Sequence, residues 1–315
     1  MKRVLAFICA LSVSTAVLGQ EAGEGEPPAP TPAMDETAAP DLLNNYRFQD
    51  ASSLEGGSFD LRFGSQWWTG SHPGGSADNF ILTPSVVWGI TDEFELTFGV
   101  DAWLGDGNDM GPFEDGNFDS NLRLHWRFHD QVGFEHKEGY LHLPSMALSS
   151  TVRIPTGCGS EKMDAELRFI ASYEYTSGIR SHFNLFGKSV NGNNLETNRN
   201  DDDDVFNFDN SNRGFDFLGL GGADELDDVR DFQYGAILGA DGPLNGDGSL
   251  RWVADYAFNS SNYDGNGSNH IAEVGFEWEM SDVSRIGMSV QAALDHGGDA
   301  PNWGIGLMYA FALGL

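Results

Sequence analysis

From Ser58 onward, apolar and polar residues alternate with a period of two in successive segments. The last segment is the clearest, because every second residue from Trp303 to Leu315 is apolar. Successive side chains of a β-strand point to opposite faces, so this pattern predicts strands with one apolar face. About twelve such segments of about ten residues occur, separated by clusters rich in Gly, Asn and Asp.

The charged residues of these segments fall on the second face, and the apolar face has none. A soluble β-sandwich also alternates, with its charged face in water. Strand length separates the two folds: sandwich strands usually have about 5–6 residues, whereas a tilted strand that crosses a membrane needs about 9–11. We therefore predict an all-β protein, a transmembrane antiparallel β-barrel whose apolar face contacts lipid.

The predicted connections alternate between short and mostly long, as in barrels of bacterial outer membranes. Residues 68–79 are expected to form one of the longer connections. The connection 129–143 breaks the rule, because it is long although it falls at the short-turn side. The longest connection, 190–228, is rich in Asp and Phe and is expected to restrict the pore. An extra strand pair within it would make the barrel fourteen-stranded.

The first 56 residues lack the strand pattern and are predicted to form a signal peptide and a tether. Lys2 and Arg3 precede an apolar stretch of about 15 residues, which is too short to span a bilayer comfortably. Residues 1–19 are therefore predicted to be a secretory signal peptide, the alternative being a buried N-terminal helix. Residues 20–56, rich in Pro, Ala and Glu, are predicted to be a disordered periplasmic tether leading into the barrel, which spans 57–315.

Composition limits the partners. Against 48 Asp and Glu residues stand 17 Lys and Arg, and the formal charge is −31. Phosphate binding needs a basic face, so nucleic acid is not an expected partner. Two cysteines exclude both a disulfide scaffold and a multi-cysteine metal site. The partners expected of such a barrel are outer-membrane lipid, the outer-membrane assembly machinery and a small solute.

The polar face supplies candidate residues that line the lumen. Basic side chains dominate the earlier strands and acidic ones the later strands: Arg123, His125, Arg127, Arg153, Arg168, Arg180 and His182, then Asp231, Asp255, Glu273 and Glu277. One interpretation is a transverse electric field that orients dipolar solutes. The other is that inward charges pair with their neighbours, as any water-filled barrel requires.

We predict no cofactor and no specific metal site. The acidic run Asp201, Asp202, Asp203 and Asp204 offers the hard oxygen ligands that Ca²⁺ prefers. However, the Gly and the terminal Glu of an EF-hand loop do not follow, so these four residues are weak candidates and a solvated acidic loop is the favoured interpretation.

Three stretches resemble a known family. Residues 83–92 (TPSVVWGITD), 119–123 (DSNLR) and 148–157 (LSSTVRIPTG) are similar to strand and turn signatures of the meta-pathway phenol degradation family of outer-membrane barrels. The resemblance covers most of the barrel. It implies an outer-membrane pore or carrier, proposed for aromatic compounds in some members, and it supplies no catalytic residue.

These observations together predict a passive channel or carrier for small molecules in the bacterial outer membrane, and not an enzyme. The first alternative is a structural barrel without transport. The second is a lipid hydrolase at the rim, for which Ser268 with His270 and Ser181 with His182 are the candidate pairs.

Overall fold

The structure is a computed structural model, and it describes residues 47–72, 75–106, 118–136, 139–156, 163–189, 232–260, 267–294 and 303–313. The described residues form fourteen strands: β1 (Phe59–His72), β2 (Gly75–Gly89), β3 (Phe94–Asp106), β4 (Phe118–His129), β5 (Val132–His136), β6 (Gly139–Leu143), β7 (Ser145–Ile154), β8 (Asp164–Glu174), β9 (Arg180–Ser189), β10 (Phe232–Pro243), β11 (Leu250–Asn259), β12 (Asn269–Ser281), β13 (Ser284–Ala293) and β14 (Trp303–Leu313).

Twelve of these strands close into one antiparallel barrel, and β1 completes it by pairing with β14 from Phe59 opposite Leu313 to Thr69 opposite Trp303. Closure removes every sheet edge, which a membrane requires because lipid cannot satisfy unpaired backbone groups. Strand β9 pairs directly with β10, and the described strands close the barrel with twelve. The fourteen-stranded alternative is therefore wrong.

The two faces of the wall are the reverse of those of a soluble protein. Apolar side chains such as Leu167, Val274 and Leu307 are about half exposed on the outside, whereas charged side chains such as Arg123, Arg168 and Glu277 are buried inside. An apolar exterior around a charged interior is stable only where lipid surrounds the barrel. The predicted transmembrane barrel is confirmed. No helix in the described part of the chain is long and apolar enough to cross a membrane.

The connections β2–β3, β8–β9, β10–β11 and β12–β13 are short and lie at one end of the barrel, which we call the short-turn end. At the opposite end, the expected connection 68–79 is wrong, because β1 and β2 continue and pair as far as His72 opposite Gly75. The long connection 129–143 contains the hairpin β5–β6, which forms a sheet of its own. Gln131 anchors it, since its amide donates to the carbonyl of Glu174 at 2.9 Å and accepts from the Glu174 amide at 2.7 Å.

Aromatic pairs mark both ends of the wall. Trp88 stacks on Phe59 and Trp126 on Phe94 at the short-turn end, with ring centroids 5.7 and 5.8 Å apart. At the other end, Trp67 and Trp303 meet edge to face at 4.9 Å. Amphipathic rings at both ends of the strands are typical of the interfacial girdles of membrane barrels.

Candidate functional site: the lumen

Residues 47–54, which we call the lumen segment, lie inside the barrel. Arg47, Phe48, Gln49, Asp50 and Ala51 are each at most 5% exposed. The sequence assigned residues 20–56 to a periplasmic tether that leads into the barrel. Of these, residues 47–51 are buried against the inner wall. Everything before 47, including the predicted signal peptide, lies outside the described residues.

A tight turn carries the chain from the lumen segment into β1. Gly57 has a positive φ of 88°, a conformation that L-residues with a side chain rarely adopt. Its N–H donates to the carbonyl of Gly89 at 2.7 Å, and Ser58 N–H donates to the Glu55 carbonyl at 3.1 Å. The turn lies at the short-turn end, so the segment enters the lumen from that side.

The lumen segment rests on one row of inward residues. Cross-strand pairing places Ser172, His182, Gly239, Asp255, Glu273 and Gln291 in register across β8 to β13. We call these six residues the docking row. The segment follows it from Arg47 at Gln291 to Ala51 at Ser172, so it crosses six strands instead of pairing with one.

Wall side chains satisfy the backbone of the segment. Asn184 accepts from Gln49 N–H at 2.7 Å and donates to the Gln49 carbonyl at 2.9 Å. Ser172 Oγ accepts from Ala51 N–H at 2.9 Å, and His125 Nε2 lies 3.3 Å from the Ala51 carbonyl. Arg168 donates to the Arg47 carbonyl at 2.8 Å. Buried backbone groups are therefore paired without any strand ladder.

Phe48 and Asp50 contact the part of the wall formed by β9 and β10. Phe48 stacks on the imidazole of His182 with centroids 4.6 Å apart. It also occupies the space above Gly239, where a Cβ would fall 2.6 Å from the Phe48 ring. Asp50 accepts from Arg180 Nη1 at 3.2 Å. Glycine at position 239 is thus what allows the aromatic ring to contact the wall.

Asp241, the next inward residue of β10, ties this contact to the wall. Its carboxylate accepts from His182 Nε2 at 2.8 Å and from Arg180 Nη2 at 3.0 Å, and Arg251 also donates to it. Strand β10 continues to Pro243, and Asp241 therefore points inward like Gly239.

A hydrogen-bonded chain runs Ser172–His182–Asp241, in the order of a hydrolytic triad. Ser172 Oγ lies 2.9 Å from His182 Nδ1. The hydroxyl oxygen already accepts the Ala51 N–H, and Phe48 covers the imidazole, so the chain serves to dock the lumen segment. The residues of the two predicted pairs are placed as follows. Ser181 and His182 are consecutive residues of β9 on opposite faces, and His270 bonds to the Tyr256 hydroxyl at 2.6 Å.

On the β3–β9 side of the wall, each buried arginine has a carboxylate neighbour. Arg123 contacts Glu95 at 3.1 Å. Arg153 contacts Asp119 at 2.8 Å and Asp164 at 2.7 Å. Arg168 contacts Glu166 at 2.9 Å and lies over the Phe186 ring at 5.0 Å. This side of the wall therefore neutralises its own charges.

The β11–β12 side differs. Asp255 and Glu273 are direct cross-strand partners, and the cation between them comes from the lumen segment. Arg47 Nε lies 3.4 Å from Glu273 and 3.9 Å from Asp255, while its Nη2 donates to Gln291 Oε1 at 2.5 Å. Glu277, further along β12, pairs with Arg285 of the wall at 3.4 Å.

The other predicted lumen residues are placed as follows. Arg127 lies at the rim, where its side chain is 26% exposed and contacts Asp130 at 3.0 Å. Asp231 and the acidic run Asp201, Asp202, Asp203 and Asp204 lie outside the described residues. Among the residues that are described, no three His, Cys, Asp or Glu side chains are grouped to hold a metal ion.

Sequence reasoning missed Arg47 and Asp50, whose only signal is a pair of charges three residues apart before the first strand.

A closed twelve-stranded barrel, apolar outside and charged inside, defines the class of outer-membrane β-barrels, and the protein belongs in the bacterial outer membrane. No family model and no curated protein matches the sequence.

Solved structures do match. An outer membrane channel from Pseudomonas putida F1 is 12% identical with a TM-score of 0.54, and the match covers 84% of this chain and 98% of that one. The NanC porin (9% identity, TM-score 0.48, 81% and 100% covered) and the toluene transporter TodX from P. putida (9%, 0.41, 82% and 90%) align more loosely. At such identities, the first likeness shows a shared fold.

Proposed function

We propose that this protein is an outer-membrane channel for the passive uptake of a small solute, with a lumen narrowed by its own lumen segment. The observation that carries the proposal is the docking row, a charged inner wall that holds a peptide segment by side chains alone. A barrel that served only as structure would have no need of a lumen wide enough to admit a chain.

The size of the barrel supports this function. Eight-stranded barrels are filled by their own side chains, and barrels of about 16–18 strands leave open channels. Twelve strands lie between these cases, and here the lumen segment takes up part of the space. Ser149 Oγ and Asn259 Oδ1 are buried and have no hydrogen-bond partner within the described residues, which favours a hydrated lumen.

The solute is proposed to be small and, by the resemblance of residues 83–92 and 148–157 to the meta-pathway phenol degradation family, aromatic or hydrophobic. Membership of that family is part of the proposal. The same resemblance supplies no catalytic residue. Ser172 and His182 contact the lumen segment, and Ser181 and His182 lie on opposite faces of β9, which favours a channel over a rim hydrolase.

Liposome swelling with a graded solute panel tests the channel. The double variant Arg47→Ala/Asp50→Ala removes the two charges that hold the lumen segment and should speed solute entry several-fold over the unmodified protein. The matched control, Arg127→Ala/Asp130→Ala, removes an exposed pair at the rim and should swell like the unmodified protein. A loosened variant that assembles yet admits no solute would support the structural barrel instead.

A further inference from the structure

We propose that Asp255, Glu273 and Gln291 form a binding site for the guanidinium or ammonium group of a solute, and that Arg47 is its built-in occupant. The inference rests on the proposed channel, because a solute must reach the lumen to use the site. It gives that channel a preference for solutes that carry a cationic group.

The three residues form one continuous patch. Asp255 pairs with Glu273 and Glu273 pairs with Gln291 across β11, β12 and β13, so their side chains point inward side by side. All three are at least nine-tenths buried. Two adjacent buried carboxylates repel each other strongly, and a cation between them reduces that repulsion.

The wall offers this patch no cation of its own among the described residues near it. Arg180 and Arg251 contact Asp241, Arg285 contacts Glu277 and Glu279, and Arg168 contacts Glu166. Arg47 therefore supplies the cation that the strands of the barrel do not supply to Asp255 and Glu273. It belongs to a segment that has no strand pairing with the wall.

The patch keeps hydrogen-bonding capacity beyond what Arg47 takes. Neither oxygen of Asp255, nor Oε2 of Glu273, nor the amide nitrogen of Gln291 makes a hydrogen bond with Arg47. Arg47 Nε approaches the acids at 3.4 and 3.9 Å, which is ion-pair contact rather than the close bidentate geometry that guanidinium and carboxylate can reach. A planar cation free of the chain can approach both acids more closely than Arg47 does.

A solute bound here would displace Arg47 and remove one of the two charged contacts that hold the lumen segment. The other, between Asp50 and Arg180, lies at the far side of the docking row. Binding of the solute and withdrawal of the segment would thus be linked, since both states place one cation at the same acids.

Chemical rescue tests the site without requiring transport. Arg47→Ala, purified in detergent micelles, should melt several degrees below the unmodified protein. Ethylguanidinium should raise its melting temperature saturably, with the about millimolar affinity expected of so small a cation. Ethylurea, which has the same shape and no charge, should leave the melting temperature unchanged or lower it. Neither compound should raise the melting temperature of the unmodified protein, whose site is filled.

The matched control is Arg47→Ala/Asp255→Asn/Glu273→Gln, which should lose the response to ethylguanidinium. An equal response in this triple variant, or no saturable response in Arg47→Ala, would overturn the proposal. If Arg47→Ala does not fold, Arg47→Gln is to be tested in the same way. A barrel that binds ethylguanidinium in micelles but passes no solute in liposomes would keep this site and overturn the channel.

Discussion

The two sides of the lumen wall neutralise their charges in different ways. On the β3–β9 side, Arg123, Arg153 and Arg168 pair with carboxylates of the same wall. On the β11–β12 side, the cation that contacts Asp255 and Glu273 is Arg47, which belongs to the lumen segment and not to a strand of the wall. The first side is complete once the barrel closes, whereas the second is complete only when the lumen segment docks.

This difference explains how the lumen segment is oriented. Its negative residue, Asp50, contacts Arg180 of β9, and its positive residue, Arg47, contacts Asp255 and Glu273 of β11 and β12. That a transverse electric field orients dipolar solutes stays a prediction. Pairing with neighbours, the second interpretation, describes the β3–β9 side.

Breaking the self-paired side should have the largest effect. Arg153→Ala removes the guanidinium that contacts the buried Asp119 and Asp164, which should lower the free energy of unfolding by about 3–5 kcal/mol. Urea unfolding in lipid vesicles measures it. The control Arg153→Met/Asp119→Asn/Asp164→Asn removes all three charges and should recover most of the loss. No recovery would mean that packing, and not charge, carries the effect.

The next effect separates the outer face from the inner one. Val290→Lys places a charge toward lipid and should cost about 2–4 kcal/mol if the residue lies near the bilayer midplane, and less toward an interface. Its neighbour Gln291 points into the lumen beside Glu273, so Gln291→Lys should cost less. The fraction of folded barrel on a heat-modifiability gel compares the two. Equal losses would contradict the assignment of faces.

Displacing the lumen segment from the docking row should lower the free energy of unfolding less than these changes do. It should change single-channel conductance strongly. Gly239→Leu fills the space that the Phe48 ring occupies and should cost about 1–2 kcal/mol, roughly the net value of a few hydrogen bonds. Single-channel conductance in planar bilayers should rise several-fold. Gly246→Ala, in a turn where a Cβ meets open space, is the control and should leave conductance unchanged.

The smallest effect is expected at the rim. Arg127 pairs with the exposed Asp130 and donates to the Asp92 carbonyl at 2.8 Å. Arg127→Ala should therefore change the free energy of unfolding by less than about 1 kcal/mol and leave conductance as it was. A loss as large as that of Arg153→Ala would place Arg127 among the lumen arginines after all.

Strand positions were largely predictable from the sequence, and the exceptions have physical reasons. The alternation from Trp303 marks β14, and the alternating residues 272–280 fall within β12. Residues 68–79 were expected to be a connection because they are rich in Gly and Ser, yet β1 and β2 pair through them. Pairing with a neighbouring strand overrides weak intrinsic strand preference. The hairpin β5–β6 was missed because two five-residue strands give too short a pattern.

The inward direction of Arg123, Arg153, Asp255 and Glu273 also followed from the period of two, but their partners did not. Arg47 bonds to Gln291, which is 244 residues away, and Gln49 bonds to Asn184, which is 135 residues away. Nothing in the residues around Arg47 has a period that predicts a wall contact.

The amino-acid sequence by itself therefore determined the barrel, its two faces and the kind of residue in its lumen, because side-chain alternation is a local property of each strand. Only the tertiary structure decided which charges meet and that residues 47–54 lie inside. Closure sets the register of β8 to β13, and that register brings His182, Gly239, Asp255 and Glu273 into the one row on which the lumen segment docks.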